Sequence, residues 1–256
     1  MFRDDAEWPT RYERSSAAPM HAVDKSEHRV RQMFSDIAGR YDFLNHLLSL
    51  NVDRYWRWQT VRRAPPVLHA PILDVCTGTG DLALAYHRAT LGKFPIVAAD
   101  FSHAMLLRAR EKAKRRRQLE NLHFVEADAQ ALPFADDAFG LVTVAFGLRN
   151  VTNTDRGLRE MARVCRPGGH IAILEFSLPR GRALRQLYGF YFRNVLPRIG
   201  QALARNRHDA YNYLPASVEE FPSGEALLTR IRGAGLANAR CVPLTFGIAT
   251  LYIGTK

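Results

Sequence analysis

Pro71-Ile72-Leu73-Asp74-Val75-Cys76-Thr77-Gly78-Thr79-Gly80 is the stretch whose reading decides the fold. A short apolar run ends on an acidic residue, turns through two glycines and enters a segment, 81–90 (DLALAYHRAT), that reads as a helix. Glycine suits such a turn because backbone there must approach a ligand closely and take conformations that a Cβ forbids. Alone, a Gly-x-Gly is as compatible with a purely structural strand–helix connection. Its meaning comes from the next strand, 96–100 (IVAAD), which ends on Asp100, 20 residues after Gly80. A carboxylate at that place can accept both hydroxyls of an adenosine ribose. The third strand, 123–128 (HFVEAD), leads into Asp128 and Ala129, a side-chain acceptor and a backbone N–H suited to an adenine edge. Three candidate contacts therefore fall at the carboxyl ends of three successive strands, the edge where open α/β sheets bind ligands.

The rest of the chain keeps the rhythm. A helix is expected from Ser102, as N-cap, to Arg117, then a strand at 140–146 (GLVTVAF), a helix after Asp155 through Val164, a turn at 166–169 (RPGG) and a strand at 170–176 (HIAILEF). This alternation specifies a parallel sheet covered on both faces. Upstream, Val30, Met33, Phe34, Ile37 and Ala38 recur at helical spacing, Tyr41, Leu44, Leu47 and Leu48 resume one apolar face, and a third helix through Tyr55–Arg63 is stopped by Pro65 and Pro66. A basic, aromatic helical segment is expected at 180–205, a helix near Ser223–Ala234, and strand-like runs at 239–246 and 249–256. The organisation implied is a mobile arm over 1–25 and one domain over 26–256, with a helical cap at 26–64 and a helical lid at 180–210.

The chain has 256 residues, 47% hydrophobic and 24% charged, which is ordinary globular composition and excludes disordered, collagenous and disulfide-scaffold classes. Cys76, Cys165 and Cys241 are widely spaced within apolar segments, as expected of reduced core thiols in a cytoplasmic protein. No apolar run approaches the roughly 18 residues of a membrane span, and the first 16 residues lack the apolar stretch of a signal peptide. With 36 Lys and Arg against 25 Asp and Glu, the net charge of +11 calls for an anionic partner: nucleic acid, a membrane surface or an acidic small molecule. The nine histidines are scattered, with no Cys-x-x-Cys or His-x-x-x-His pair, so no metal site is expected.

Which nucleotide the turn takes is narrowed by what it lacks. The Gly-Lys-Ser/Thr of a triphosphate loop is absent, and Ala83 stands where a full Gly-x-Gly-x-x-Gly would have its third glycine. The acidic Asp74 before the turn suits a cationic ligand better than a pyrophosphate. S-adenosylmethionine, with its ammonium and sulfonium, fits that sign.

At 34–42 (FSDIAGRYD), 145–152 (AFGLRNVT), 166–177 (RPGGHIAILEFS) and 211–214 (YNYL) the sequence resembles the ubiquinone/menaquinone biosynthesis C-methyltransferase family of class I S-adenosylmethionine methyltransferases, over about Val30 to Lys256. The resemblance implies a Rossmann-like α/β fold: a mostly parallel seven-stranded sheet with helices on both faces and a C-terminal antiparallel strand. It implies methyl transfer from S-adenosylmethionine to a ring carbon of a polyprenylated quinol, either demethylmenaquinol or, alternatively, the methoxy-benzoquinol intermediate of ubiquinone biosynthesis. Carried over by position, cofactor contacts fall on Thr79, Asp100, Asp128, Ala129 and Ala145, and Asp74, Gly78 and Gly80 of the turn complete the expected cofactor-binding set. Ala145 stands where the family usually has a small hydroxyl residue, and Asp53 precedes Arg54 where it usually has a histidine.

Methylating a ring carbon needs an electron-rich quinol whose hydroxyl is partly or fully deprotonated, so the protein must position the ring and stabilise its oxygen. Arg149 is the expected phenolate stabiliser, directly or through water; its high pKa excludes it as the base. Asn150 and Tyr41 are candidate partners for the ring oxygens. The plainer alternatives are a salt bridge from Arg149 to Asp155 and a half-buried core ring for Tyr41. Phe43, Leu44, Leu47 and Leu48, with Leu187, Tyr188, Tyr191, Phe192 and Leu196, either line a channel for the prenyl tail or simply cap the sheet. Of the basic clusters, 108–117 (RAREKAKRRR) reads as a solvated helix end, whereas the arginines around 180–207 alternate with aromatics as in an interfacial helix, predicting peripheral contact with an anionic membrane. A nucleic-acid methyltransferase would carry Asn/Asp-Pro-Pro-aromatic, or a cysteine after proline, where this chain has 145–150 (AFGLRN), so no nucleic-acid partner is expected. A cofactor-binding protein without activity would show a damaged site, but Asp74, Gly78, Gly80, Asp100 and Asp128 are all present. Assembly into a homo-oligomer is left open.

Overall fold

Seven strands form one sheet: β1 (Ile72–Val75), β2 (Ile96–Asp100), β3 (Leu122–Glu126), β4 (Phe139–Ala145), β5 (Cys165–Phe176), β6 (Ala237–Leu244) and β7 (Ala249–Thr255), in the order β3-β2-β1-β4-β5-β7-β6. The computed structural model describes residues 27–38, 42, 49, 51–67, 69–179, 181, 186, 189–190 and 210–256. Strands β1 to β5 pair in parallel, and β7 runs antiparallel to both β5 and β6. This is the seven-stranded sheet with a reversed C-terminal strand that the resemblance implies. Helices α1 (Glu27–Ile37), α2 (Val52–Arg63), α3 (Asp81–Ala89), α4 (His103–Arg115), α5 (Thr154–Val164), α6 (Ala210–Glu220) and α7 (Glu225–Gly233) complete the described elements.

Strand β1 lies where the order reverses, with β2 on one side and β4 on the other, so the crevice of an open sheet opens at its carboxyl end. All four of its side chains are buried, and alternate residues serve opposite faces. Leu73 and Val75 join Val142, Val144 and Ile173 beneath Leu158 and Met161 of α5 and Leu227 and Ile231 of α7. Ile72 joins Ile96, Leu141 and Leu174 beneath Trp56 of α2 and Leu82 and Leu84 of α3. Burying each such side chain is worth about 1.5–3 kcal/mol, which fixes the register of the central strands. On the flank, α1 and α6 share Val30, Met33 and Tyr213, packed with Phe34 and with Phe101, which follows β2.

Several local expectations are corrected. Ser102 occupies the N-cap position of α4, but its hydroxyl makes no cap bond; it lies 3.2 Å from the Ser35 hydroxyl of α1. The helix that is capped by a side chain is α5, where Asn153 accepts the Arg156 N–H at 3.0 Å. The expected turn at 166–169 is a bulge within a strand that already starts at Cys165. Pairing jumps from Phe139↔Cys165 to Leu141↔His170, and the extra residues are held by Gly168 N–H to Lys256 C=O (2.7 Å) and Lys256 N–H to Gly169 C=O (3.1 Å). Strand β3 ends at Glu126, leaving Asp128 in the following loop. Helix α6 lies where no element is expected, with Pro215 inside it obscuring the helical signal. The arm over 1–25, Tyr41, the proposed channel residues between 43 and 48 and nearly all of 180–207 lie outside the described residues. The three cysteines are free thiols, Cys165 buried and Cys76 and Cys241 half-buried.

Candidate active site

The turn after β1 is built on Gly80, the N-cap of α3, at φ +82°. A side chain there would be strained by the backbone and crowded by Ala109 of α4, which lies 3.1 Å from the place of a Cβ. The turn is braced from below by Asp74, whose carboxylate accepts the hydroxyls of Thr77 (2.6 Å) and Thr143 of β4 (2.8 Å). Burial lifts its pKa to about 6 against those hydrogen bonds. Asp74 is expected to face the ligand; in the structure its oxygens serve the protein, and its contribution to a cation is through its charge.

Asp100, at the end of β2, accepts the Gly78 N–H on one carboxylate oxygen (2.8 Å) and the Ser102 N–H on the other (2.9 Å). Burial raises its pKa to about 6, while the Arg31 guanidinium of α1 pulls it down. Each oxygen retains acceptor capacity for a ribose hydroxyl. Asp128 accepts the Gln130 N–H (2.9 Å), and the Gln130 side chain in turn accepts the Asn153 N–H (2.9 Å), which pins the loop after β3 to the start of α5. Ala129 beside it is buried. Thr79 is buried as well: its hydroxyl donates to Asp42 and accepts from Lys112 at 2.9 Å, while its backbone N–H has no partner among the described residues. Ala145, the last residue of β4, is half-buried.

All of the expected cofactor residues thus stand along the carboxyl edge of β3, β2, β1 and β4, in that spatial order. The donor set fits S-adenosylmethionine: an acceptor and N–H at one end, a carboxylate placed for a ribose next, then a glycine turn whose Thr79 N–H has no partner among the described residues. Two buried carboxylates without a phosphate-binding lysine loop favour a cation over a pyrophosphate.

Beyond β4 the chain bends through Phe146, at φ +57°, and Gly147 into one helical turn over Leu148–Asn150. Gly147 lies so close to the β1 turn that a Cβ would overlap the Cβ of Cys76. Arg149 is buried in this bend. Its guanidinium donates to Glu175 at 3.1 Å and to the Phe146 carbonyl, its backbone N–H donates to the other Glu175 oxygen at 3.1 Å, and it lies 5.2 Å from the Phe176 ring centre. The alternative partner Asp155 instead reaches Arg230 at 3.5 Å. Arg149 Nε and Asn150 Oδ1 are buried with no hydrogen-bond partner among the described residues. A donor and an acceptor left open on consecutive residues are what a bound hydroxylated ring would satisfy.

Two residues of the site escape the sequence reading. Glu175 follows the apolar run Ile171–Leu174 of β5, and a buried Glu requires a partner, which is the signal the sequence offers. Lys112 stands in a run of cations, but with Met105, Leu106, Ala109 and Ala113 buried on α4, helical spacing puts it at the margin of the buried face.

The model of the ubiE/COQ5 methyltransferase family matches residues 22–256. A Geobacter sulfurreducens protein named ubiquinone/menaquinone biosynthesis C-methyltransferase UbiE is 45% identical over 237 residues, covering 93% of this chain and 92% of its own. A Bacteroides fragilis protein named demethylmenaquinone methyltransferase is 40% identical over 246 residues, covering 96% and 99%. Among solved structures, a SAM-dependent methyltransferase of Thermotoga maritima superposes with TM-score 0.61 at 19% identity (88% of this chain, 99% of that one). One of Aquifex aeolicus superposes with TM-score 0.57 at 16% identity (77% and 88%). These two share the fold. With the glycine turn, Asp100 and the Arg149 bend all standing within a family match that spans residues 22–256, the chain belongs to the ubiE/COQ5 methyltransferase family.

Proposed function

We propose that this protein transfers the methyl group of S-adenosylmethionine to a ring carbon of a polyprenylated quinol, converting demethylmenaquinol to menaquinol. The observation that carries the reading is the buried Arg149–Glu175 pair beside the nucleoside edge, with Arg149 Nε and Asn150 Oδ1 left open. When bound, S-adenosylmethionine supplies an electrophilic methyl on a positively charged sulfur. Asp100, Asp128 and the glycine turn hold the nucleoside and amino-acid ends. Arg149 Nε–H donates to the ring oxygen that becomes anionic, and Asn150 Oδ1 accepts a ring hydroxyl. Glu175 fixes the guanidinium before the ring arrives, so charge stabilisation needs no reorganisation. Arg149 keeps its own protons, and the quinol hydroxyl proton leaves to water. The ring carbon takes the methyl while the pair of the broken methyl–sulfur bond stays on sulfur as S-adenosylhomocysteine, and the hydrogen displaced from that carbon returns to the ring oxygen as a proton. The family's use of both ring types leaves the benzoquinol as the competing acceptor; the name carried by the Bacteroides relative favours the naphthoquinol.

The acceptor's tail requires a lipid surface. Among the described residues no helix is long and apolar enough to cross a membrane. Contact with an anionic bilayer is supported by the +11 charge and by α2, which exposes Tyr55 (45%) and Trp58 (49%) beside Arg62, whose guanidinium lies 4.8 Å from the Trp58 ring centre. The test of the activity is incubation of the protein with methyl-labelled S-adenosylmethionine in a cell extract. Label in the quinone fraction supports the reading; label in nucleic acid, or none transferred, overturns it.

A further inference from the structure

Lys112 does not behave like its neighbours in the basic run. Arg108 and Arg115 are solvent-exposed and pair with Glu111, whereas the Lys112 side chain is 14% exposed. An ammonium has three N–H donors, and Lys112 has three acceptors: the Asp42 carboxylate, Thr79 Oγ1 at 2.9 Å and Asp81 Oδ1 at 3.0 Å. Asp81 also meets Arg57 of α2 at 3.4 Å, and Arg57 pairs with Asp53. One side chain of α4 therefore ties together the segment at Asp42, the glycine turn, the first residue of α3 and, through Arg57, α2.

The consequence falls on Thr79. Its hydroxyl donates to Asp42 and accepts from Lys112, so its one donor is committed to the network and it has no hydrogen left to give a ligand. The donor that Thr79 has left is its backbone N–H, which has no partner among the described residues and stands at a place fixed by that network. Since the nucleoside end of the site lies over β3 and β2, the turn after β1 meets the amino-acid end. We propose that Lys112 is a positioning residue for the amino-acid half of the cofactor, holding the glycine turn through Thr79 while leaving recognition of the nucleoside half untouched. This rests on the reading of the edge as an S-adenosylmethionine site.

The experiment compares two ligands by calorimetry on the full chain: S-adenosylhomocysteine, and 5′-methylthioadenosine, which keeps the thioether nucleoside but lacks the amino acid. Losing an ammonium that makes charge-assisted bonds is expected to weaken S-adenosylhomocysteine about tenfold or more in Lys112→Met, with methylthioadenosine changed by less than about twofold. Lys112→Gln, which can still donate to Thr79 but loses the ion pairs to Asp42 and Asp81, carries the test if Lys112→Met does not fold, and is expected to weaken S-adenosylhomocysteine by a smaller factor of about threefold to fivefold, again with methylthioadenosine unchanged. Equal weakening of both ligands, or unchanged binding of S-adenosylhomocysteine, overturns the role of Lys112. Failure of the unmutated chain to bind S-adenosylhomocysteine overturns the cofactor reading itself, so the two failures are distinguishable.

Discussion

The guanidinium of Arg149, in the helical turn that follows β4, and the carboxylate of Glu175, near the end of the adjacent parallel strand β5, lie 3.1 Å apart, the two residues 5% and 1% exposed respectively. The pair is close to neutral as a unit, so what it offers the substrate is an oriented donor rather than a free positive charge. Removing one member strands the other. Glu175→Gln is expected to cost about 3–5 kcal/mol in denaturant unfolding and to abolish turnover. Arg149→Met combined with Glu175→Leu should recover most of that stability but no turnover. A double variant that regained activity would reduce the pair to packing.

Gly147→Ala drives a methyl group into Cys76 and so presses the bend after β4 against the glycine turn. A loss of about 1–3 kcal/mol is expected from overpacking. Cys76 sits at φ +51°, where glycine is at ease, so adding Cys76→Gly removes the clash without a backbone conflict and should return the lost stability. Thermal melts of the single and double variants check this.

Asp74 and Asp100 both titrate near pH 6 in the folded chain, against an ordinary 3.8. Their folded pKa values are raised, so their contribution to stability is fully present below about pH 4 and is lost as pH rises through about 6. Cofactor binding runs the other way, because a ribose needs Asp100 as a carboxylate. At pH 5 roughly one Asp100 in ten is ionised, so S-adenosylhomocysteine should bind about tenfold more weakly than at pH 8. Calorimetry across this range, with Asp100→Asn showing a flatter profile, checks the sign.

Contact with lipid predicts co-sedimentation with anionic vesicles at moderate salt and little with neutral ones. Changing Tyr55 and Trp58 to Ser, on the exposed face of α2, should lower that binding severalfold. Equal binding to both vesicle types would remove the membrane from the reading.

What was legible in the sequence is what local periodicity and spacing encode. The glycine turn, the 20-residue step to Asp100 and the alternation of strands and helices stand in the order the chain is written. Glu175 and Arg149 are 26 residues apart and meet only because Ala145 pairs with Leu174, a register that no local pattern states. The Arg166–Gly169 stretch has the composition of a turn, yet its pairing with the chain end makes it a bulge. Lys112 was hidden by neighbours of the same charge, and the commitment of the Thr79 hydroxyl by a contact with Asp42, 37 residues away.

The decisive measurement is transfer by the purified protein: methyl-labelled S-adenosylmethionine with demethylmenaquinol in anionic lipid, followed by mass analysis of the quinone. A product carrying one added methyl on a ring carbon, formed by the unmutated chain and lost in Arg149→Ala while S-adenosylhomocysteine still binds, is the expected result. Cofactor binding with no methyl on the quinol, or undiminished transfer by Arg149→Ala, would contradict it.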